Sequence, residues 1–435
     1  MIENPAAVCG AYVGLLIVLC LAGLHVATVM AVIAAVGALV FLGPAAIWNI
    51  GNLTWATSNE FLLISAPLFI LTGDLLLRSG VTDRMYGALA AWLGSIPGGL
   101  LHTNIASCSL FAAISGSSVA TAATIGTVAM PALKQRGYSE RLSLGSIAAG
   151  GTLGILIPPS VNMIIYGAMT DTSIGRLFAA GVIPGILLAL AFMALIFLFS
   201  MRTATRTAAA PMPMRDRLLL MRDLLPIAFV FLIVMGSLYS GLATPTESAA
   251  LGVLAAAAVA WWYGRLSLAV LHELFRSTMR TTGMVMLIIV AAFFLNFVLS
   301  LVGLSQAVTQ WVKALGISPL ETIYLLFLVY LLLGCFLETL SMMITTIPVV
   351  TPLVVALGFD PVWFGIFVVL MCELALITPP VGMNLFVVQG LRRPGSDIND
   401  VILGVLPFML VMLLFTAALI HFPDLALWLP RQFFD

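Results

Sequence analysis

Continuous apolar runs of about twenty residues recur along the whole chain, the length that carries a helix across the hydrocarbon core of a bilayer. Their apolar positions are consecutive and not alternating, so they predict spanning helices and not the strands of a barrel. One stretch interrupts the pattern. Residues 114–126 read ISGSSVATAATIG, placing five hydroxyls and two glycines in oily surroundings. A plain spanning helix has no use for such a segment, because each backbone group left unpaired in hydrocarbon costs several kcal/mol.

Comparing the chain with itself explains the interruption. MPALKQRGYSE at 130–140 and LIPPSVNM at 156–163 return as TPLVVALGFDP at 351–361 and ITPPVGMN at 377–384. An offset of 221 residues takes Pro131 to Pro352, Gly137 to Gly358, Tyr138 to Phe359, Pro158 to Pro379 and Pro159 to Pro380, without a gap. Further on, GVIPGILLALAF at 181–192 matches GVLPFMLVMLLF at 404–415 with an offset of 223. Several matches at nearly one spacing predict two copies of one unit, residues 1–200 and 224–435, joined by a linker at 201–223.

Basic residues orient the copies. The linker holds Arg202, Arg206, Arg215, Arg217 and Arg222, and is cytoplasmic by the positive-inside rule. Working backwards, 173–200 runs inward and 140–170 outward, so the clusters around Arg78–Arg84 and Lys134–Arg141 are also cytoplasmic. The stretch between them, about 98–133, then begins and ends on one face. It is predicted to be a re-entrant hairpin with SGSSVAT at its tip. Working forwards, 224–241, 245–263 and 281–302 cross in turn, 319–357 forms the matching hairpin, 360–390 returns to Arg392 and Arg393, and 400–421 exits. RLSLAVLHELFR at 265–276 reads as an amphipathic interfacial helix. The N-terminus lacks a basic n-region and reads as the first span, not a signal peptide.

The expected fold is therefore an all-α integral membrane protein built as an inverted repeat. Each half has about five transmembrane helices, one re-entrant hairpin and one helix broken at Pro-Pro (about 140–170 and 360–390). Inverted repeats with broken helices are the architecture of secondary transporters. Segments 6–80, 173–200, 224–302 and 400–421 are expected to form the scaffold around the hairpins.

Composition agrees. Of 435 residues, 62% are hydrophobic and 8% charged, with zero formal net charge and a mean hydropathy of +1.16. Soluble domains carry about 25% charged residues, and no polar block is large enough to be one. Neutrality removes any global electrostatic argument for nucleic acid. Cys9, Cys20, Cys108, Cys335 and Cys372 lie in apolar segments without metal-ligand spacing and read as small core residues.

The chemistry sits at the interruptions. The tip Ser115–Ser118 and the Pro158-Pro159-Ser160 break offer carbonyls and hydroxyls, hard oxygens suited to an alkali cation. In the second copy the tip falls at Phe336–Thr339, with Glu338 opposite Ser117 and Thr339 opposite Ser118, and the break at Thr378-Pro379-Pro380. Half-helix N-termini also present partial positive charge to an anion. Glu338 is the favoured functional acid, followed by Glu373; Asn162 and Asn384, just past the breaks, can orient oxygens. Glu247 reads as a helix N-terminal acid behind Pro245, Asp74 and Arg78 as a local i,i+4 ion pair, and His25 and His102 as structural.

Together SGSSVATAATIGTVAMPALKQRGYS, GGTLGILIPPSVNMIIYG, GLATPTESAALG and LITPPVGMNLFVVQG resemble the large membrane subunit of tripartite ATP-independent periplasmic (TRAP) transporters, over about residues 5–425. The resemblance implies sodium-driven uptake of an organic acid across a bacterial inner membrane. It also implies a periplasmic substrate-binding protein and a small membrane subunit as partners, and an elevator mechanism. Candidate Na+ ligands implied here are Ser115, Gly116, Ser117, Thr121, Pro158, Glu338, Thr339, Thr378 and Pro379. Candidate substrate contacts are Ser117, Ser118, Asn162, Thr339 and Asn384. Many relatives carry Asp where this chain has Thr121, which alters the charge of the first cation site.

Three other readings compete with this one. A stand-alone elevator-type carboxylate/cation symporter or exchanger keeps the architecture without a binding protein. An intramembrane enzyme lacks a Ser-Lys, Asp-Asp or His-Glu pair at usable spacing. A channel lacks a symmetric filter motif.

Overall fold

The computed structural model describes residues 10–12, 14–16, 18–19, 22–202, 212–393 and 395–434. Cys9, Cys20, Arg206, much of the first span and the middle of the linker lie outside the described residues. Among the described residues every regular element is helical.

Local chemistry sets the helix starts. TPTE at 244–247 and SPLE at 318–321 each form a capping box, the hydroxyl accepting from the glutamate backbone N–H while the glutamate accepts from the cap backbone, with Pro at the first helical position. This arrangement satisfies two N–H groups that have no partner in the first turn. It launches Pro245–Trp262 and Pro319–Gly334, and gives Glu247 the capping role expected of it.

The two copies repeat the same order of elements. The hairpins are Leu100–Ser115 with Ser118–Gln135, and Pro319–Gly334 with Thr339–Ala356. Their second arms are both 18 residues long and lie 221 residues apart. Each arm ends at a glycine in the left-handed region, Gly137 (φ 70) and Gly358 (φ 92), where a Cβ would be strained. The broken helices follow: Glu140–Thr152 then Val161–Thr170, and Pro361–Ile377 then Met383–Gly390. Both prolyl bonds at the breaks, Pro158-Pro159 and Pro379-Pro380, are cis.

Two expectations are corrected. Segment 265–276 is not a separate interfacial helix: Leu268–Val302 is one helix of 35 residues, about 52 Å long at 1.5 Å per residue against a hydrocarbon core of about 30 Å. The first copy divides the equivalent stretch into Ala45–Ser58 and Phe61–Arg78, broken at Asn59-Glu60. The second correction concerns the scaffold. Helices Ile174–Arg202 and Asn399–His421 pack into the hairpin body, not around it. Gly145 and Gly404 bring two backbones together, so closely that a Cβ on Gly145 would stand 2.0 Å from the Gly404 carbonyl oxygen. Phe192 and Phe408 meet edge to face at 5.5 Å, and the Trp363 indole donates to Leu419 O at 3.2 Å. Charges close the same contact: Arg141 pairs with Asp400 at 2.9 Å, and the buried Arg392 pairs with Glu140 and Asp400. Small residues at helix contacts supply in lipid the close packing that the hydrophobic effect cannot. Sequence polarity showed which helices span, but not which partner each chose.

Around that body stand Val26–Gly37, Phe61–Arg78, Leu225–Tyr239, Pro245–Trp262 and Leu268–Val302. They are tied to one another at Gly252, whose Cβ would meet Val234 and Thr72, and at Gly37, which faces Val298.

Candidate functional site

Glycine makes the first tip possible. Gly116 has φ 59, and an added Cβ would stand 3.0 Å from the Pro159 carbonyl oxygen, so the tip lies directly on the first helix break. Ser117 caps the second arm, its hydroxyl accepting from Ala120 N. Ser118 Oγ donates to Thr152 O at 2.8 Å, and Gly154 approaches the Ser117 backbone within 2.7 Å of an added Cβ. Thr121 Oγ1 donates to Ser117 O at 2.7 Å and lies 3.0 Å from Ser115 Oγ. At the break itself Ser160 Oγ donates to Ile155 O at 2.6 Å and caps Val161–Thr170. Ser115, Gly116, Ser117, Ser118 and Thr121 thus form one compact oxygen-rich cluster.

At the second tip Glu338 is the N-cap of Thr339–Ala356. Its carboxylate accepts from Ser341 N and Oγ, at 3.2 and 3.0 Å, and from Thr339 Oγ1 at 3.2 Å. The Thr339 carbonyl in turn accepts from Cys372 Sγ, which ties this tip to Pro361–Ile377.

Both tips line one cavity of about 200 Å³. Ser115–Ser118, Val119 and Ala120 come from the first tip, Glu338, Thr339 and Leu340 from the second, and Ile155, Val161 and Asn162 from the first break. A further part of the wall comes from outside the hairpins: Gly73 and Asp74 on Phe61–Arg78, and Ser277, Thr281 and Val285 on Leu268–Val302. Asn162 is 4% exposed and its amide nitrogen has no hydrogen-bond partner.

Several expected site residues lie elsewhere. Pro158 lines a separate apolar cavity with Leu110, Val182 and Phe231, while the carbonyl of its neighbour Pro159 meets the tip at Gly116. Thr378 and Pro379 do not line the shared cavity, and the Thr378 hydroxyl is used on Leu374 O at 2.6 Å. Leu376 is that break's contribution to the wall. Asn384 points across the body, donating to Ala148 O at 3.1 Å. Both asparagines follow a Pro-Pro break, yet of the two Asn162 alone lines the cavity between the tips. Glu373 is fully buried inside its helix contacts, with neither carboxylate oxygen hydrogen-bonded, and is also absent from the cavity wall. His25 and His102 have structural partners, Ala27 N and Pro97 O. Among the described residues no group of three metal-binding side chains occurs.

Asp74 belongs to the cavity and not to the expected ion pair with Arg78. Arg78 forms its ion pair with Glu273, while the Asp74 carboxylate accepts from Ser277, feels the Arg78 charge without pairing with it, and lines the cavity. The signal was present in the sequence. Gly73-Asp74 sits in the apolar run APLFILTGDLLL, and an acid in such a place ordinarily faces protein or water and not lipid. Gly73 brings that helix against the tip: an added Cβ would stand 2.9 Å from Ser115 Cα.

Paired hairpins and paired broken helices around a shared polar cavity define a polytopic helical protein with a transporter fold. The same fold occurs in the YdaH transporter of Alcanivorax borkumensis, matched with a TM-score of 0.60 at 16% identity over 91% of this chain and 90% of that one. Sequence comparison narrows the class: residues 13–425 match the family described as tripartite ATP-independent periplasmic transporter, DctM component, and the chain belongs to it. It is 35% identical to the C4-dicarboxylate large permease DctM of Pseudomonas aeruginosa, over 91% of this chain and 92% of that one. It is 31% identical to the sialic acid large permease SiaM of Vibrio cholerae, over 86% and 87%. To the ectoine/5-hydroxyectoine large permease UehC of Ruegeria pomeroyi it is 34% identical, over 84% and 85%. The chain is accordingly a multi-pass permease subunit of the bacterial inner membrane and not an enzyme.

Proposed function

We propose that this permease takes up an organic acid together with sodium ions, receiving the solute from a periplasmic binding protein and working beside a small membrane subunit. The observation that carries the reading is the single cavity lined by both hairpin tips. Sodium suits the donors. Glu338 keeps carboxylate lone pairs free beside the Thr339 and Ser341 hydroxyls, and the first tip concentrates hydroxyl and carbonyl oxygens without nitrogen or sulfur ligands. The solute carboxylate is placed against the N-terminus of Ser118–Gln135, where unpaired N–H groups and the helix dipole attract anions.

In this reading the copies lie inverted in the bilayer, and the hairpin body slides as an elevator against the surrounding helices. The packing of Ile174–Arg202 and Asn399–His421 into that body makes them part of the moving unit.

The test is uptake in proteoliposomes under an imposed sodium gradient, with and without the binding protein and small subunit. Expected is accumulation that collapses when the gradient is removed or the partners are omitted. Uptake indifferent to sodium overturns the coupling; full uptake by the chain alone establishes the stand-alone symporter instead.

A further inference from the structure

We propose that the solute held between the tips is a zwitterion, an organic acid bearing an ammonium or amidinium group as well as its carboxylate. This rests on the reading above and names the substrate class of the same site. Among the described residues the charged side chains in the cavity wall are Asp74 and Glu338, and no lysine or arginine joins them. Arg78, one turn from Asp74, is turned to Glu273.

The two acids are not equivalent. Glu338 caps a helix and accepts from Thr339 and Ser341, so the helix dipole and three donors already offset its charge. Asp74 lies one turn before the end of its helix, on a wall outside the hairpins, with Ser277 as its donor and the charge of Arg78, itself paired to Glu273, acting on it from one turn away. It is the group there that a cationic substituent would answer. Elsewhere in the wall, Asn162 is buried with its amide nitrogen unpartnered. Buried donors are ordinarily satisfied, and this one matches a carboxylate, as does the helix N-terminus at Ser118. The cavity thus offers separate places for a negative end and a positive end, within about 200 Å³. With Glu338 given to sodium, a dicarboxylate would still set its second negative charge against Asp74, on a wall whose described residues include no basic side chain.

The experiment is calorimetric titration of the intact purified chain, at fixed sodium, with two four-carbon probes of similar length: 4-aminobutyrate, which ends in an ammonium, and succinate, which ends in a second carboxylate. Expected is tighter binding of 4-aminobutyrate by about tenfold or more, the effect of one favourable charge contact. Asp74→Asn is expected to bring the ratio to about one. Glu338→Gln is expected to weaken both probes while leaving the ratio. The proposal is overturned if succinate binds as well or better, if 4-aminobutyrate does not bind, if Asp74→Asn keeps the ratio, or if it weakens both probes equally, as a sodium ligand would. Repeating the titration in potassium separates the two readings: affinities unmoved by sodium remove the coupling but leave the charge preference standing.

Discussion

Replacing Gly73 by alanine tests whether the hairpin body slides. The new Cβ would stand 2.9 Å from Ser115 Cα, 3.3 Å from its Cβ and 3.4 Å from its carbonyl oxygen. Carbon contacts are optimal at about 3.5–4.0 Å, so the nearest falls short by about 0.6 Å or more, and the obstacle is backbone. Overpacking of this kind costs about 1–3 kcal/mol. Alanine returns up to about 1 kcal/mol through helix propensity, whatever position the body occupies. The propensity gain is common to every state of the cycle, whereas the clash belongs to the state in which the tip lies against Gly73. The variant therefore biases the equilibrium away from that state by about 5- to 150-fold. Gly87→Ala is the control. It has the same chemistry in a helix, with nothing within 4 Å of the new Cβ. Initial rates of sodium-driven uptake should fall about fivefold or more for Gly73→Ala and stay level for Gly87→Ala. Thiol labelling of Cys335, beside the second tip and partly exposed, should change its rate in the first variant alone. Equal uptake and equal labelling in both variants would refute a sliding seam at Gly73.

The remaining predictions use the same purified protein. Glu338→Gln inserts normally but loses most sodium-driven uptake, since it keeps the shape of the helix cap and removes the charge; normal uptake at limiting sodium removes Glu338 from the site. Gly145→Ala, whose Cβ would meet the Gly404 carbonyl at 2.0 Å, costs about 3 kcal/mol or more and lowers the thermal unfolding temperature, while Gly87→Ala leaves it level or raised. Peptide-resolved maleimide labelling should modify Cys335 well before the buried Cys108 and Cys372; equal rates would contradict the packing of the body. Single cysteines at Ile96 and Arg136, flanking the first hairpin, should react with an impermeant reagent from the same side of the membrane. Labelling from opposite sides would turn the hairpin into a crossing.

Both hairpins, both breaks and the spacing between the copies were legible in the chain, because glycine, proline and hydroxyl residues act on the backbone where they stand. SGSS has to turn, and Pro158 and Pro379 cannot continue a helix. Asp74 was harder to read. Its i,i+4 partner Arg78 gave a sufficient local explanation, and only the position of Glu273, 195 residues away in sequence, showed that the arginine was engaged elsewhere. Asn162 and Asn384 looked alike because each follows a Pro-Pro break closely, although the 221-residue offset sets Asn162 against Met383; the helices packed around each turn one to the cavity and the other to Ala148. The length of Leu268–Val302 was hidden by its own polarity, since RLSLAVLHELFR is amphipathic whether or not the helix continues beyond it.

The sequence by itself determined that the chain is embedded in lipid, that it repeats, and where its helices start, turn and break. Those properties follow from local hydrophobicity and backbone chemistry, which need no neighbour. Tertiary structure decided which polar groups share a cavity and which helices pack into one body. A side chain's outlook depends on how its helix is rotated and what packs beside it. The contacts that fix this, Gly73 on Ser115 and Gly145 on Gly404, join residues whose closeness no spacing along the chain announces.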